Sequence, residues 1–217
     1  MEDINCWESK FTPCYYSDRL LDKLLELNNI LNVQVDIVQI KKAIYYTRKY
    51  HGDQRRNSGE PYYSHPIEVA YMLSDHLFST DSIVVAILHD VIEDTTLTKE
   101  MIEVIFSEKV ASKVDDLTRI KLHGKISSAE MIESLYILGK HDVLMIKIFD
   151  RIHNMQTIGV KSPEKIKKIV HETISTFLAL ATHFDSLDIE KKTTDLCLLK
   201  SKNNQSSFYK QKKFSFF

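Results

Sequence analysis

Ile83-Val84-Val85-Ala86-Ile87-Leu88-His89-Asp90-Val91-Ile92-Glu93-Asp94 sets an unbroken apolar run against a polar end made of one imidazole and three acids. Read as a single helix, the stretch brings His89, Asp90, Glu93 and Asp94 within an arc of roughly 140°, so that the four groups can converge on one point. That arrangement is costly. Carboxylates three and four apart repel by about 0.2–0.5 kcal/mol per pair, and acids in a last helical turn oppose the macrodipole by roughly 0.3–1 kcal/mol. Positive charge should compensate, and a divalent metal does so directly, because imidazole and carboxylate together make a mixed nitrogen and oxygen site. The plainer alternative is a helix end that reaches solvent.

Outward from this stretch the chain carries few breaks. Its five glycines and four prolines leave 67–120, 140–158 and everything beyond Pro163 without either residue. Apolar residues recur there at three- and four-residue spacing, which reads as helix and predicts an all-α fold. Helices are expected over Asp18–Leu31, Asp36–Tyr50, Ser64–Leu77, Asp81–Glu93, Lys99–Phe106, Glu108–Ile120, Ser127–Leu138, Asp142–Ile158 and Pro163–Phe184. Ser64 or His65 should cap the helix that has Pro66 in its first turn, and Asp81 and Asp142 each precede an apolar run. The helix after Asp81 is apolar on nearly every side, which places it at the centre of a bundle with its charged end at the floor of a pocket. Residues 1–35 read as an N-terminal helical segment packed on a domain spanning 36–197. Periodicity stops near Leu198, so 198–217, ending in basic and aromatic residues, is expected to be a mobile tail.

Composition narrows the function. The 217 residues are 43% hydrophobic and 27% charged, the balance of a globular domain with a full core. Lys plus Arg number 29 against 30 for Asp plus Glu, so no global basic field makes nucleic acid the default partner. An anion would have to be bound locally. The N-terminus lacks the charged and apolar regions of a signal peptide and no apolar run approaches a membrane span, so a cytoplasmic protein is expected. Cys6, Cys14 and Cys197 are scattered and odd in number, which indicates free thiols and neither a disulfide framework nor a thiolate zinc site.

Two further clusters carry chemistry. In Asp150-Arg151-Ile152-His153-Asn154-Met155-Gln156-Thr157, the residues Asp150, His153, Asn154 and Thr157 lie at i, i+3, i+4 and i+7, one polar stripe on a helix whose other face is apolar. Such a stripe needs partners if it is buried; otherwise it is the wet face of an amphipathic helix. In Gln54-Arg55-Arg56-Asn57-Ser58-Gly59-Glu60-Pro61-Tyr62-Tyr63-Ser64-His65-Pro66, a polar turn delivers His65 to a helix start, and Arg56 offers a planar guanidinium able to stack on a base or fork onto phosphate. His65 alone would read equally as a capping residue.

Taken together, His65, His89-Asp90 and Asp150 follow the order H…HD…D, the ligand order of the HD-domain metal-dependent phosphohydrolases. The segments RxSGEPYxxHP (56–66), LHDVIEDT (88–95) and DRIHNMxT (150–157) resemble the hydrolase domain of the RelA/SpoT alarmone enzymes and of their hydrolase-only small relatives. The similarity spans roughly Asp36 to Asp188, including Leu117-Thr118-Arg119. It implies an HD-type helical bundle in which His65, His89, Asp90 and Asp150 bind one Mn²⁺, and Glu93 and Asp94 serve the attacking water. It also implies that Arg56, Asn154 and Thr157 help to form the nucleoside pocket, with Ser58 near it. The implied substrate is the guanine nucleotide ppGpp or pppGpp, from which the 3′-pyrophosphate is removed to give GDP or GTP. No nucleic-acid or membrane partner is implied.

Two positions depart from the family pattern. Asn57 stands where Lys is common, which removes a charge from the pocket, and Gln156 stands where many relatives carry Arg. The resemblance further implies that the chain stops before a synthetase domain, as a dedicated small hydrolase or as a fragment of a longer gene. Other readings stay open: an HD phosphohydrolase acting on NADPH or a deoxynucleotide, or a non-catalytic fragment that binds the alarmone. Intact Glu93 and Asp94 speak against the last, because a sensor has no need of groups that handle water.

Overall fold

A computed structural model describes residues 6–121, 124–184 and 186–213 of the chain. In chain order its helices are α1 (Trp7–Lys10), α2 (Tyr15–Ile30), α3 (Ile37–His51), α4 (Ser64–Leu73), α5 (Thr80–Leu88), α6 (Val91–Asp94), α7 (Lys99–Ile105), α8 (Glu108–Leu117), α9 (Ser128–Ile137), α10 (His141–Gln156), α11 (Pro163–Glu172), α12 (Ala179–His183) and α13 (Leu187–Lys213). The described strands are β1 (Ile120–Lys121) and β2 (Gly124–Lys125), an antiparallel ribbon in which Ile120 faces Lys125. The all-α reading therefore holds. Among the described residues, no helix is long and apolar enough to cross a membrane.

Short polar side chains cut the chain into these helices. Asp36 accepts from the amides of Val38 and Gln39 at the start of α3, Ser79 from Ser82 at α5, Thr98 from Met101 at α7 and Ser107 from Val110 at α8. Ser127 and Glu130 form a reciprocal capping box at α9, and Ser162 precedes Pro163 at α11. Each such cap contributes about 1 kcal/mol.

Between Phe149 and Asp150, inside α10, the chain divides into two compact units. In the first, α5 is the central element. Every residue from Ser82 to Leu88 is buried, and α3, α4 and α8 pack around it. The second unit has a core of Met155, Ile158, Val170 and Cys197, against which Ile166, Ile169 and Leu196 pack. There Arg151 pairs with Glu172 at 3.1 Å and lies 4.3 Å from the centre of the Phe177 ring, and Lys200 Nζ donates to the Gln156 carbonyl at 3.1 Å.

Several sequence expectations are corrected. The helix expected over Asp81–Glu93 is two: α5 ends at Leu88, His89 and Asp90 form a turn, and α6 begins at Val91. The break moves Glu93 and Asp94 from the end of one helix to the first turn of another, where the macrodipole favours acids instead of opposing them. Ser64 is not a cap, since its hydroxyl donates to the Pro61 carbonyl at 2.7 Å while Tyr63 holds the cap position. Asp81 lies in the first turn after the Ser79 cap, and Asp142 is the second residue of α10. The helix expected over Pro163–Phe184 is divided by a π-helical segment at Thr173–Leu178. Within the stretch expected to be a mobile tail, α13 runs to Lys213; residues 214–217 lie outside the described residues.

Because α5 carries the central packing, truncating it should be costly. Ile87 is fully buried, and Ile87→Ala is expected to destabilise the protein by about 2–5 kcal/mol, read from urea unfolding followed by far-UV circular dichroism.

Candidate metal centre

His65 enters the site through the tight turn that opens α4. Its amide donates to the Tyr62 carbonyl at 3.1 Å, and Pro66 stiffens the first turn behind it. The imidazole is 2% exposed. His89, also 2% exposed, caps the C-terminal end of α5, and its Nδ1 lies 2.8 Å from the Ala86 carbonyl. Only an N–H can satisfy that oxygen, so Nδ1 carries a proton and, when the imidazole is neutral, Nε2 presents its lone pair.

That tautomer has a consequence next door. His89 Nε2 lies 3.1 Å from Asp90 Oδ1, and His65 Nε2 lies 3.5 Å from Asp90 Oδ2. A lone pair that close to a carboxylate oxygen is repulsive unless a second proton or a cation lies between them. Asp150, on α10, adds a further carboxylate. One ligand atom from each of His65, His89 and Asp150 lies within 4.8 Å of the others, and all three residues are buried. Neutral imidazoles and carboxylates with no thiolate suit a first-row divalent ion better than a structural zinc. The residues present fit a metal. The Asp150 carboxylate is itself oriented, because Asn154 Nδ2 donates to its Oδ1 at 2.6 Å across one helical turn, an outer contact of the kind that fixes ligating carboxylates.

Glu93 and Asp94 are each held by a different partner. Glu93 Oε2 accepts from the Arg119 amide at 3.2 Å, and Oε1 lies 3.6 Å from the Arg119 guanidinium. Asp94 Oδ2 accepts from the Tyr62 hydroxyl at 2.5 Å, and the Asp94 carbonyl accepts from Gln54 Nε2 at 3.0 Å. Burial pushes the Asp94 carboxyl up from the usual carboxylate range, with the charges of Asp90 and Glu93 adding to the rise and the Tyr62 hydrogen bond opposing it.

Arg56 and Ser58 sit on a loop closed by its own hydrogen bonds. The Arg56 amide donates to Glu60, the Gly59 amide to Arg56 and the Tyr62 amide to Gln54, each at 2.9 Å, and Arg55 bridges Pro61. Gly59 has φ +96, which an L side chain rarely adopts, so this glycine is required by the turn. Ser58 Oγ donates to Glu60 at 3.1 Å, and Asn57 is exposed. On α10 and just past its end, the expected polar stripe is present: besides Asn154 on Asp150, Thr157 Oγ1 donates to the His153 carbonyl at 3.2 Å.

The structure thus gathers His65, His89 and Asp150, with Asp90 beside both imidazoles. The sequence reading missed the supports. Arg119 lay in a recognised stretch and Tyr62 in a recognised motif, yet neither received a role; Gln54 and His51 carried no signal of their own.

The HD-domain family matches residues 43–185. The chain is 37% identical over 163 residues to a GTP pyrophosphokinase rsh of Brucella ovis, covering 72% of this chain and 22% of that one. It is 36% identical over 160 residues to a guanosine-3′,5′-bis(diphosphate) 3′-pyrophosphohydrolase of Aquifex aeolicus, covering 72% and 23%. The chain spans less than a quarter of the length of these curated relatives. Among solved structures, the metazoan SpoT ortholog described as hydrolysing ppGpp matches with a TM-score of 0.56 at 21% identity, covering 76% of this chain and 96% of that one.

Loss of an outer-shell partner usually weakens metal affinity by about 10–100-fold, so loss of a ligand should weaken it at least as much. His89→Ala and Asp150→Asn are each expected to reduce divalent-metal affinity by that margin or more with helicity unchanged, as measured by calorimetric titration and circular dichroism.

Proposed function

The chain belongs to the HD-domain family, and from that premise we propose that it hydrolyses the 3′-pyrophosphate of ppGpp or pppGpp, giving GDP or GTP and pyrophosphate. The observation that carries this reading is the convergence of the His65, His89 and Asp150 ligand atoms within 4.8 Å, in a chain whose next acids after Asp90 are the restrained pair Glu93 and Asp94. Similarity to the Aquifex guanosine-3′,5′-bis(diphosphate) 3′-pyrophosphohydrolase supports the substrate class.

His65, His89, Asp90 and Asp150 would hold the metal, which we assign as Mn²⁺ because Mg²⁺ seldom takes imidazole ligands. When bound, the ion supplies positive charge to the pyrophosphate oxygens and makes a water nucleophilic near neutral pH. The protein's own groups do the rest. Asp94, partly desolvated and with its carboxyl raised, is suited to take a proton from the attacking water. Glu93, held by Arg119, would orient that water. Arg56 presents its guanidinium from a closed loop and would stack on the base or fork onto phosphate, with Ser58 beside it. Asn154 and Thr157 would contribute neutral hydrogen bonds to the nucleoside.

Incubated with Mn²⁺, the purified protein is expected to convert ppGpp to GDP and pyrophosphate and to leave GTP, NADPH and deoxynucleoside monophosphates intact. Exhaustive chelation should abolish turnover, with Mn²⁺ restoring it better than Mg²⁺; equal activity after chelation would falsify the metal-dependent reading. Glu93→Gln and Asp94→Asn should each retain bound Mn²⁺ while kcat falls by about 10²-fold or more, the usual scale for a lost general base.

A guanidinium on the base affects ground and transition states alike. Arg56→Ala should therefore mainly raise KM, and Asn57→Lys should lower it. A large loss of kcat at unchanged KM for Arg56→Ala would move the arginine to the transition state.

A further inference from the structure

Asp94 is gripped from two directions by one short stretch of chain. Tyr62 donates its hydroxyl to Asp94 Oδ2 at 2.5 Å, and Gln54 donates its side-chain amide to the Asp94 carbonyl at 3.0 Å. The two gripping residues are themselves joined. Gln54 Oε1 accepts from His51 Nδ1 at 2.9 Å, the His51 ring stacks on the Tyr62 ring at 4.7 Å and 23°, and the Tyr62 amide donates to the Gln54 carbonyl at 2.9 Å. Asp94, Tyr62, His51 and Gln54 therefore close a ring of contacts between the end of α3, the loop that bears Arg56 and Ser58, and α6.

The polarity of this ring is not what packing alone would select. His51 is 1% exposed, and its Nε2 has no hydrogen-bond partner among the described residues. An apolar side chain of similar shape would fill the same space without leaving a buried nitrogen unsatisfied, and such departures concentrate where function requires them. Asp94 also needs the help. Its helix is four residues long and ends at extended Thr95, so the backbone alone restrains the carboxylate little. A misplacement of about 1 Å in a reacting group can lower a rate by roughly 10²-fold.

We propose that Tyr62 is a positioning residue for hydrolysis: its hydroxyl fixes the Asp94 carboxylate, and its clamp with His51 and Gln54 ties the Arg56 and Ser58 loop to that carboxylate. The inference rests on the reading of Asp94 as the group that handles water. Burial holds the Tyr62 phenol well above its ordinary pKa, so the hydroxyl remains a donor throughout the neutral range and does not compete with Asp94 for the proton.

The test is a double-mutant cycle on ppGpp hydrolysis in Mn²⁺, with Tyr62→Phe, Asp94→Ala and the pair; phenylalanine keeps the ring on His51 and removes only the hydroxyl, and alanine removes the acceptor. Tyr62→Phe is expected to lower kcat by about 10-fold or more with KM and Mn²⁺ affinity unchanged, and to cause no further loss once Asp94 is alanine. Fully additive losses, or a change confined to KM or to metal affinity, would overturn the proposal. The same four proteins are also unfolded in urea, where the pair should couple by about 5-fold in the unfolding equilibrium constant, the scale of one hydrogen bond. If the wild type does not hydrolyse ppGpp, the proposed function fails separately, and absent coupling in urea then overturns the clamp as well.

Discussion

Asp90, Glu93 and Asp94 crowd three carboxyl groups into five residues at the end of a helix buried on every side. Their mutual repulsion, sharpened by the low dielectric around them, constrains everything nearby. The protein meets it in three ways. Glu93 receives a guanidinium and an amide from Arg119. Asp94 receives a neutral phenolic donor, which restrains it without cancelling its charge, and burial accordingly lifts its pKa. Asp90 faces two imidazoles, one of which has its proton committed to a carbonyl on the far side. A neutral imidazole would not balance that carboxylate, and a bound cation would. Under the proposed function the three solutions correspond to ligation, orientation and proton transfer.

Much of this was legible in the sequence because it is local. The polar stripe from Asp150 and the featureless apolar run of α5 are read from neighbours along the chain, since side chains three and four apart meet on a helix whatever the tertiary context, whereas the H…HD…D order, spread over 65–150, carries meaning only through a family resemblance. The interruption at His89-Asp90 was not legible. The turn residues keep nearly helical dihedrals, with φ −59 at His89 and −101 at Asp90, and no glycine or proline marks the break. Only the electrostatic advantage of placing Glu93 and Asp94 at a helix start distinguishes two helices from one.

The supports escaped for the opposite reason. Tyr62 reaches Asp94 across 32 residues, Gln54 across 40, and Arg119 reaches Glu93 across 26. No periodicity encodes such pairings; they follow from how α3, α6 and the stretch after α8 are packed. No glycine or proline follows Pro163, which leaves α13 free to run from Leu187 to Lys213, and its earlier part buries Cys197. Absence of an apolar stripe removes the reason for a helix to pack, and does not by itself end one.

The loop around Arg56 is tied to Asp94, so under the proposed function it joins recognition to the reacting groups. The amides of Arg56, Gly59 and Tyr62 are bonded to its own carbonyls, Gly59 supplies the one backbone conformation that closes it, and the Tyr62 and Gln54 contacts anchor it to Asp94. A loop ordered before binding loses little further entropy when a ligand arrives. The exposed Asn57 is carried on that frame and takes no part in holding it. A charge gained or lost at position 57 should therefore alter how strongly phosphate is attracted, leaving the geometry of Asp94 unchanged. Disturbing Tyr62, by contrast, loosens the loop and the carboxylate together, which is why the strength of recognition and the precision of the reacting group can vary independently at one position and not at the other.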